Sequence, residues 1–319
     1  MKRILKPVIV GLVSFFGSIF TFLSAVWLKF LMRVGPGKIS DFIFMKTGIL
    51  PVRDHYYEPL INPKKYLTKS LRVDRLLKGI DFNEKEQLEL LSSFHYNDEL
   101  KLIPLERKNE MEYYYNNHSY KSGDSEFLYN IIRHYKPGKI IEIGSGYSTL
   151  MAINAIKKNK TENTTYTCHH ICIEPYEQPW LEKTGTEVYR KKVEDVDTGF
   201  FKLLNAGDIL FIDSSHIIRP QGDVLFEFLE ILPVLNSGVI IHVHDIFTPK
   251  DYLDEWVFGH KLWNEQYLLE AFLMFNNQFK IIGSLNYLAH HYKKEFEAKC
   301  PIFAMQPGRE PGAFWMVKK

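Results

Sequence analysis

Two short segments of this chain carry titratable side chains at the ends of apolar runs. Asp213 follows Ile209-Leu-Phe-Ile, so its carboxylate emerges where a buried strand ends, with Ser214-Ser215-His216 behind it. Ile240-Ile-His242-Val-His244-Asp245 ends a second apolar run in the same way. Neighbouring strands lie about 4.8 Å apart, so Asp213 and the His244-Asp245 pair can converge on one divalent ion. Oxygen-rich ligation suits Mg²⁺, and a histidine in the set also admits Mn²⁺, Fe²⁺ or Zn²⁺. Strand alternation puts His242 and His244 on one face, so a structural histidine pair competes with the metal reading.

A second group of candidates surrounds a glycine turn. Lys139-Ile-Ile-Glu-Ile-Gly-Ser-Gly-Tyr-Ser-Thr149 reads as a buried strand running into a turn and then a helix. Gly144 and Gly146 permit close backbone approach, and Ser145, Ser148 and Thr149 lie where the helix start offers free N–H groups to a ligand. A dinucleotide site wants a third glycine where Thr149 stands, and an acidic residue, Glu142, sits inside the strand. The next strand ends at Ile173-Glu174-Pro175, where a carboxylate can accept hydrogen bonds from ribose hydroxyls.

These residues need a frame. From Ser122 the chain alternates between helix and strand patterns. Strands are expected at 139–143, 166–174, 187–193, 208–213, 238–244, 279–288 and 312–317; helices are expected at 124–135, 148–158, 223–235 and 263–276. Such alternation predicts an α/β, doubly wound, Rossmann-like sheet of seven mostly parallel strands, with ligands at their carboxyl ends. The aromatic-rich region 34–121, with helical spacing over Asp81–Phe94, reads as a helical cap and linker ahead of a domain at 122–319.

Glu142-x-Gly144-x-Gly146, Glu174, Asp213 with His216, and His244-Asp245 together resemble class I S-adenosylmethionine (SAM) methyltransferases. Within them they are similar to an uncharacterised bacterial branch related to metal-dependent catechol-type and sugar O-methyltransferases. The resemblance implies that Glu142 and the glycines hold the methionine end of SAM and that Glu194 or Asp195 contacts adenine. It implies a metal held by Asp213, His244 and Asp245, with His244 replacing the usual carboxylate. His216 stands where catechol-type enzymes place a lysine base, and a neutral imidazole there can take the acceptor's proton. The activity implied is O-methylation; the resemblance names no acceptor, and it is the apolar N-terminal segment that suggests a sugar or membrane-associated glycan precursor. A nicotinamide-dependent oxidoreductase and an inactive membrane-tethered binding module are the alternatives.

Composition bounds the rest. The chain has 319 residues, 45% of them hydrophobic and 14% aromatic, which suffices for a full core. A net charge of +2 implies no polyanion partner, so no nucleic-acid binding is expected. Three cysteines, Cys168, Cys172 and Cys300, argue against a disulfide framework. Pro7–Leu28 carries no charge and would span about 33 Å as a helix, against about 30 Å of bilayer core. Residues 1–33 are therefore expected to be a membrane anchor, although Leu23-Ser24-Ala25 also resembles a signal-peptide cleavage site. Basic residues flank the span on both sides and leave its orientation open; SAM dependence implies a cytoplasmic catalytic domain.

Other clusters read less sharply. Cys168, His170 and Cys172 share one face of a strand, but tetrahedral zinc would need a further partner, so core thiols are the preferred reading. Tyr252, Trp256, Trp263 and Tyr267 suit either sugar stacking or core packing. Arg219–Asp223 reads as a loop that touches substrate or caps a helix. Asn117-His-Ser and Asn163-Thr-Thr match glycosylation sequons, which a cytosolic location would leave silent.

Overall fold

The computed structural model describes residues 2–319, with side chains at 10, 11 and 13–319; Met1 and the remaining side chains of the expected anchor lie outside the described residues. Two compact units divide it, Met1–Ser70 and Leu71–Lys319.

In the first unit the helix Lys2–Val34 contains Val13–Val34, a strongly apolar 22-residue stretch that is almost wholly exposed. Phe15, Phe16, Phe20, Phe22 and Trp27 are all exposed on it. A helix so apolar and so little covered is long enough to cross a bilayer; a signal sequence near an N-terminus shares that length and composition. Gly35, at positive φ, and Pro36 separate it from the helix Gly37–Thr47, which ends at Gly48 in the left-handed conformation.

The second unit is built on seven strands: β1 (Lys139–Ile143), β2 (His169–Ile173), β3 (Glu187–Tyr189), β4 (Ile209–Ile212), β5 (Ile240–Val243), β6 (Phe279–Ser284) and β7 (Phe314–Lys318). Their order is β3-β2-β1-β4-β5-β7-β6. The pairs among β1 to β5 are parallel, whereas β7 runs antiparallel to both its neighbours. The isoleucine-rich strands are buried on both faces, as crossover helices require. Ile140, Ile209 and Ile240 pack under the helices Asp124–Tyr135 and Tyr147–Glu162; Ile141, Leu210 and Ile241 pack on the opposite face with Val224, Phe228 and Leu269. The sheet is thus doubly wound, and its order reverses between β1 and β4.

Some elements differ from expectation. The strand expected to reach Leu288 stops at Ser284, because Leu285, Leu288 and Ala289 repeat with helical spacing and bury one face of a helix, Leu285–His291. The helix expected at 223–235 contains a π-helical turn, Glu227–Ile231. Residues 71–121 hold only two short helices, Glu84–Ser92 and Asn97–Leu102; irregular chain does the rest, anchored by the buried rings of Phe94, Tyr113, Tyr115 and Tyr120.

Candidate active site

Ladder bonds continue one residue past each strand and align the site residues along the sheet's carboxyl edge. Glu174 N–H donates to Tyr189 O (3.1 Å), Gly144 to Ile173 O (3.0 Å), Asp213 to Ile143 O (2.9 Å) and His244 to Ile212 O (2.9 Å). Two cavities open over this edge, at the reversal point where doubly wound sheets bind ligands. One, of about 800 Å³, is lined by Gly144, Ser145, Gly146, Ser148, Glu174 and Glu194, among others. The other, of about 780 Å³, lies beside His216, His244, Asp245 and Trp256. Six residues line both: His118, Ser119, Glu177, Asp213, Ser214 and Ser215.

The two glycines of the turn do different work. A Cβ on Gly144 would lie 1.9 Å from the Asp213 carbonyl oxygen, and its φ of +74° suits glycine alone. Gly144 thus lets the ends of β1 and β4 touch, bringing Asp213 over the cavity. Gly146 has nothing nearer its Cβ position than Gln178 Nε2 at 3.8 Å, so its backbone is open to a ligand. Glu174 is held by the N–H groups of Tyr176 (2.9 Å), Glu177 (2.8 Å) and Ser145 (3.3 Å), and so fixes the loop that faces it.

Glu142 and Thr149 line neither cavity. Glu142 is buried behind the loop, where it accepts from Ser148 Oγ (2.5 Å) and Thr149 Oγ1 (2.8 Å) and lies 2.9 Å from His170 Nε2. Thr149 Oγ1 in turn accepts from Gly146 N–H (3.0 Å). These two residues shape the loop from behind and do not reach into it. Asp195 lines neither cavity, while its neighbour Glu194 lines the first.

Around Asp213 the structure gathers three further titratable groups. Its Oδ1 is 3.2 Å from His216 Nε2 and 3.4 Å from His244 Nδ1; Asp245 Oδ2 is 3.5 and 3.6 Å from the same two nitrogens. Both His216 (φ 60°) and Asp245 (φ 56°) adopt the left-handed conformation, which places backbone strain at this edge. Burial opposes charge on these histidines, yet the surrounding carboxylates prevail: His216 is pushed up to about 10 and His244 well above its usual value. Burial would raise Asp213 too, but His244 and His216 hold it below the ordinary carboxylate range. Asp245 goes the other way because its burial outweighs both histidines.

Sequence reasoning missed Glu265, the first residue of the helix Glu265–Leu273, fully buried with Oε2 2.7 Å from His216 Nδ1. It also missed Asp124, whose Oδ2 is 3.9 Å from His244 Nε2, and the segment His118-Ser119-Tyr120 above the edge. Asn117 holds that segment by accepting from Ser119 N–H (3.0 Å) and Tyr120 N–H (2.7 Å); at 3% exposure it is a structural residue and no glycan acceptor. Trp256 and Trp263 pack edge to face, 4.9 Å apart, with Lys261 Nζ over both rings, and both line the second cavity. Tyr252 is buried and Tyr267 partly exposed, and neither lines a cavity.

A glycine turn without a third glycine, an acidic residue at the end of β2 and a polar edge at the sheet's reversal define a class I SAM-dependent methyltransferase. The family described as "Methyltransferase domain" matches residues 141–246, the stretch from β1 to the residue after Asp245, and the chain belongs to it. An uncharacterised protein of Archaeoglobus fulgidus is 31% identical over 162 residues, 47% of this chain and 72% of that protein. Membership implies SAM as cofactor and a small-molecule acceptor, and sets aside the nicotinamide alternative.

Proposed function

We propose that this methyltransferase methylates a hydroxyl of a sugar or membrane-associated glycan precursor, with SAM in the cavity at β1 and β2 and the acceptor in the cavity beside β5. The observation that carries the reading is Asp213, which stands in the wall common to both cavities with His216, His244 and Asp245 gathered around it. The donor set fits a divalent cation: Asp213, His216 and Asp245 each present a ligand atom within 4.8 Å of the others. His244 Nδ1, buried and without a hydrogen-bond partner among the described residues, faces the same two carboxylates.

When bound, SAM supplies an activated methyl group, and a divalent cation held by Asp213, His244 and Asp245 supplies charge that acidifies a nearby hydroxyl. Glu174 receives the ribose hydroxyls, Ser145, Gly146 and Ser148 frame the methionine end, and Glu194 meets the adenine. Glu142 and Thr149 serve by holding that loop in shape. His216, once it gives up the proton its carboxylate neighbours hold on it, takes the acceptor's proton at Nε2, and Glu265 fixes its ring through Nδ1 and stabilises the imidazolium formed. Trp256 and Trp263 offer flat faces for a sugar ring.

A second reading of His216 has its own support, since its Nε2 lies in one set with Asp213 and Asp245: it serves as a ligand and not as the base. For the chain as a whole we propose an anchor at 1–33, a linker and cap at 34–121 and the catalytic domain at 122–319 on the cytoplasmic side, where SAM is made.

Calorimetry on the full chain in detergent tests these assignments, comparing SAM, S-adenosylhomocysteine and NAD with and without Mg²⁺ or Mn²⁺. The product analogue should bind and NAD should not. EDTA should abolish turnover on a hydroxyl acceptor, and Mn²⁺ should restore it; metal-independent turnover overturns the cation. His216→Ala should lose turnover while keeping both SAM and Mn²⁺ affinity. Lost Mn²⁺ affinity in that variant replaces the base by the ligand reading.

A further inference from the structure

The geometry points to a second cation site, for a thiophilic divalent ion such as Zn²⁺ or Cd²⁺, formed by Glu142, His170 and Cys172 behind the cofactor loop and weakening SAM binding when filled.

Three observations carry it. The first is register. In the parallel pairing of β1 with β2, Glu142 stands directly beside Cys172, and His170, two residues earlier, points to the same face. Zinc over Cys168, His170 and Cys172 lacked a partner on sequence grounds, and the neighbouring strand supplies a carboxylate. Glu142 Oε2 is 2.9 Å from His170 Nε2 and 3.7 Å from Cys172 Sγ, which lies 4.0 Å from the same nitrogen. All three donor atoms fall within 4.8 Å of one another.

The second is charge. Isolated ions are costly to bury, so a buried site must neutralise what it holds. A carboxylate and a thiolate carry two negative charges and the imidazole binds neutral, so a dication there leaves no net charge. The thiol proton, and any proton on His170 Nε2, depart to solvent as the ion enters. A mixed S, N and O set selects zinc-like ions over Mg²⁺, which separates this site from the oxygen-rich one at Asp213.

The third is a route in. A cavity of about 390 Å³, lined by Ile153, Ile156, Cys168 and Thr186, reaches the site at His170, with Glu142 and Cys172 outside its lining, and it shares no lining residue with the cofactor cavity. The consequence follows from who shares Glu142. Its Oε2 is the acceptor for Thr149 Oγ1, and Thr149 Oγ1 is the acceptor for Gly146 N–H. An ion on Oε2 draws that oxygen's charge to itself and weakens the Thr149 bond, while Ser148 Oγ keeps its bond to Oε1, so the helix start that faces SAM loses part of its inner support.

Cadmium tests the proposal directly, because its thiolate complex has a charge-transfer band in the ultraviolet that carboxylate and imidazole sites lack. The full chain, saturated with Mg²⁺, should give this band with one equivalent of Cd²⁺. Cys168→Ser should keep the band; Cys172→Ser and Cys172→Ala should lose it. Bound Cd²⁺ should weaken S-adenosylhomocysteine binding roughly tenfold or more, as for loss of a hydrogen bond to a charged group, and should leave its affinity unchanged in either Cys172 variant. A missing band, a band that survives both Cys172 variants, or unchanged product affinity with Cd²⁺ bound overturns the proposal. The band requires no turnover, so its outcome stands apart from the fate of His216 and Asp213.

Discussion

The carbonyl oxygen of Asp213 occupies the space where a side chain on Gly144 would begin, 1.9 Å from the Cβ position. Two strand ends that meet this closely place the polar edge of β4 beside the loop after β1, and the site depends on that contact.

Gly144→Ala must either break this contact or abandon its φ of +74°. Strained backbone and backbone clash together should cost about 3 kcal/mol. Thermal denaturation should show the lower midpoint, and calorimetry should show S-adenosylhomocysteine binding lost. Retention of both stability and binding contradicts the packing argument.

Glu174 is fixed by three backbone N–H groups, and only the rest of its acceptor capacity faces the cavity. Glu174→Gln keeps its size and removes its charge. SAM affinity should fall roughly 10- to 100-fold, the range for one hydrogen bond to a charged group. Unaltered affinity takes Glu174 out of the cofactor site.

Glu265 raises the proton affinity of His216 through the 2.7 Å contact with Nδ1. Glu265→Gln should lower turnover roughly 10- to 100-fold and leave SAM affinity intact. With the carboxylate gone, His216 gives up its proton at lower pH, so the acid limb of the pH–rate profile should move to lower pH. A fall in turnover with the limb unmoved reduces Glu265 to packing.

Glu126 sits fully buried, accepting from the N–H groups of Gly123, Ile302 and Phe303, and burial outweighs those bonds to push its carboxyl up to about 7. The folded chain therefore holds this proton more tightly than the unfolded one. The stabilisation is complete below about pH 4.5 and is lost as pH rises through 7, a difference of about 3 kcal/mol. Denaturant unfolding between pH 4.5 and 8 should show that decline, and Glu126→Gln should flatten it. Parallel slopes in the two proteins remove Glu126 from the account.

Much of this site was legible because parallel strands impose a simple rule. A polar residue just beyond an apolar run surfaces at one edge, and Glu174, Asp213 and the His244-Asp245 pair do so together. Glu142 follows the other half of that rule. It lies within β1, so its side chain points into the layer beneath the helix Tyr147–Glu162, and the sequence pattern could not say that Ser148 and Thr149 would claim it. Glu265 was hidden for another reason. It lies 49 residues from His216, and an acid opening a helix reads as dipole compensation until tertiary packing turns it inward. His118, Ser119 and Tyr120 belong to no regular element, and no periodicity marks a loop that Asn117 folds over the edge.

The partition formed by Asp213, Ser214, Ser215, His118, Ser119 and Glu177 has a thermodynamic corollary. Two ligands seated against one wall can be coupled through it, and any such coupling is reciprocal. Whatever free energy the donor contributes to seating its acceptor, the acceptor returns in equal measure to the donor. In the proposed reaction, methyl transfer abolishes the sulfonium charge on one side of that wall, so whatever part of the coupling rests on that charge is absent between the spent cofactor and the methylated product.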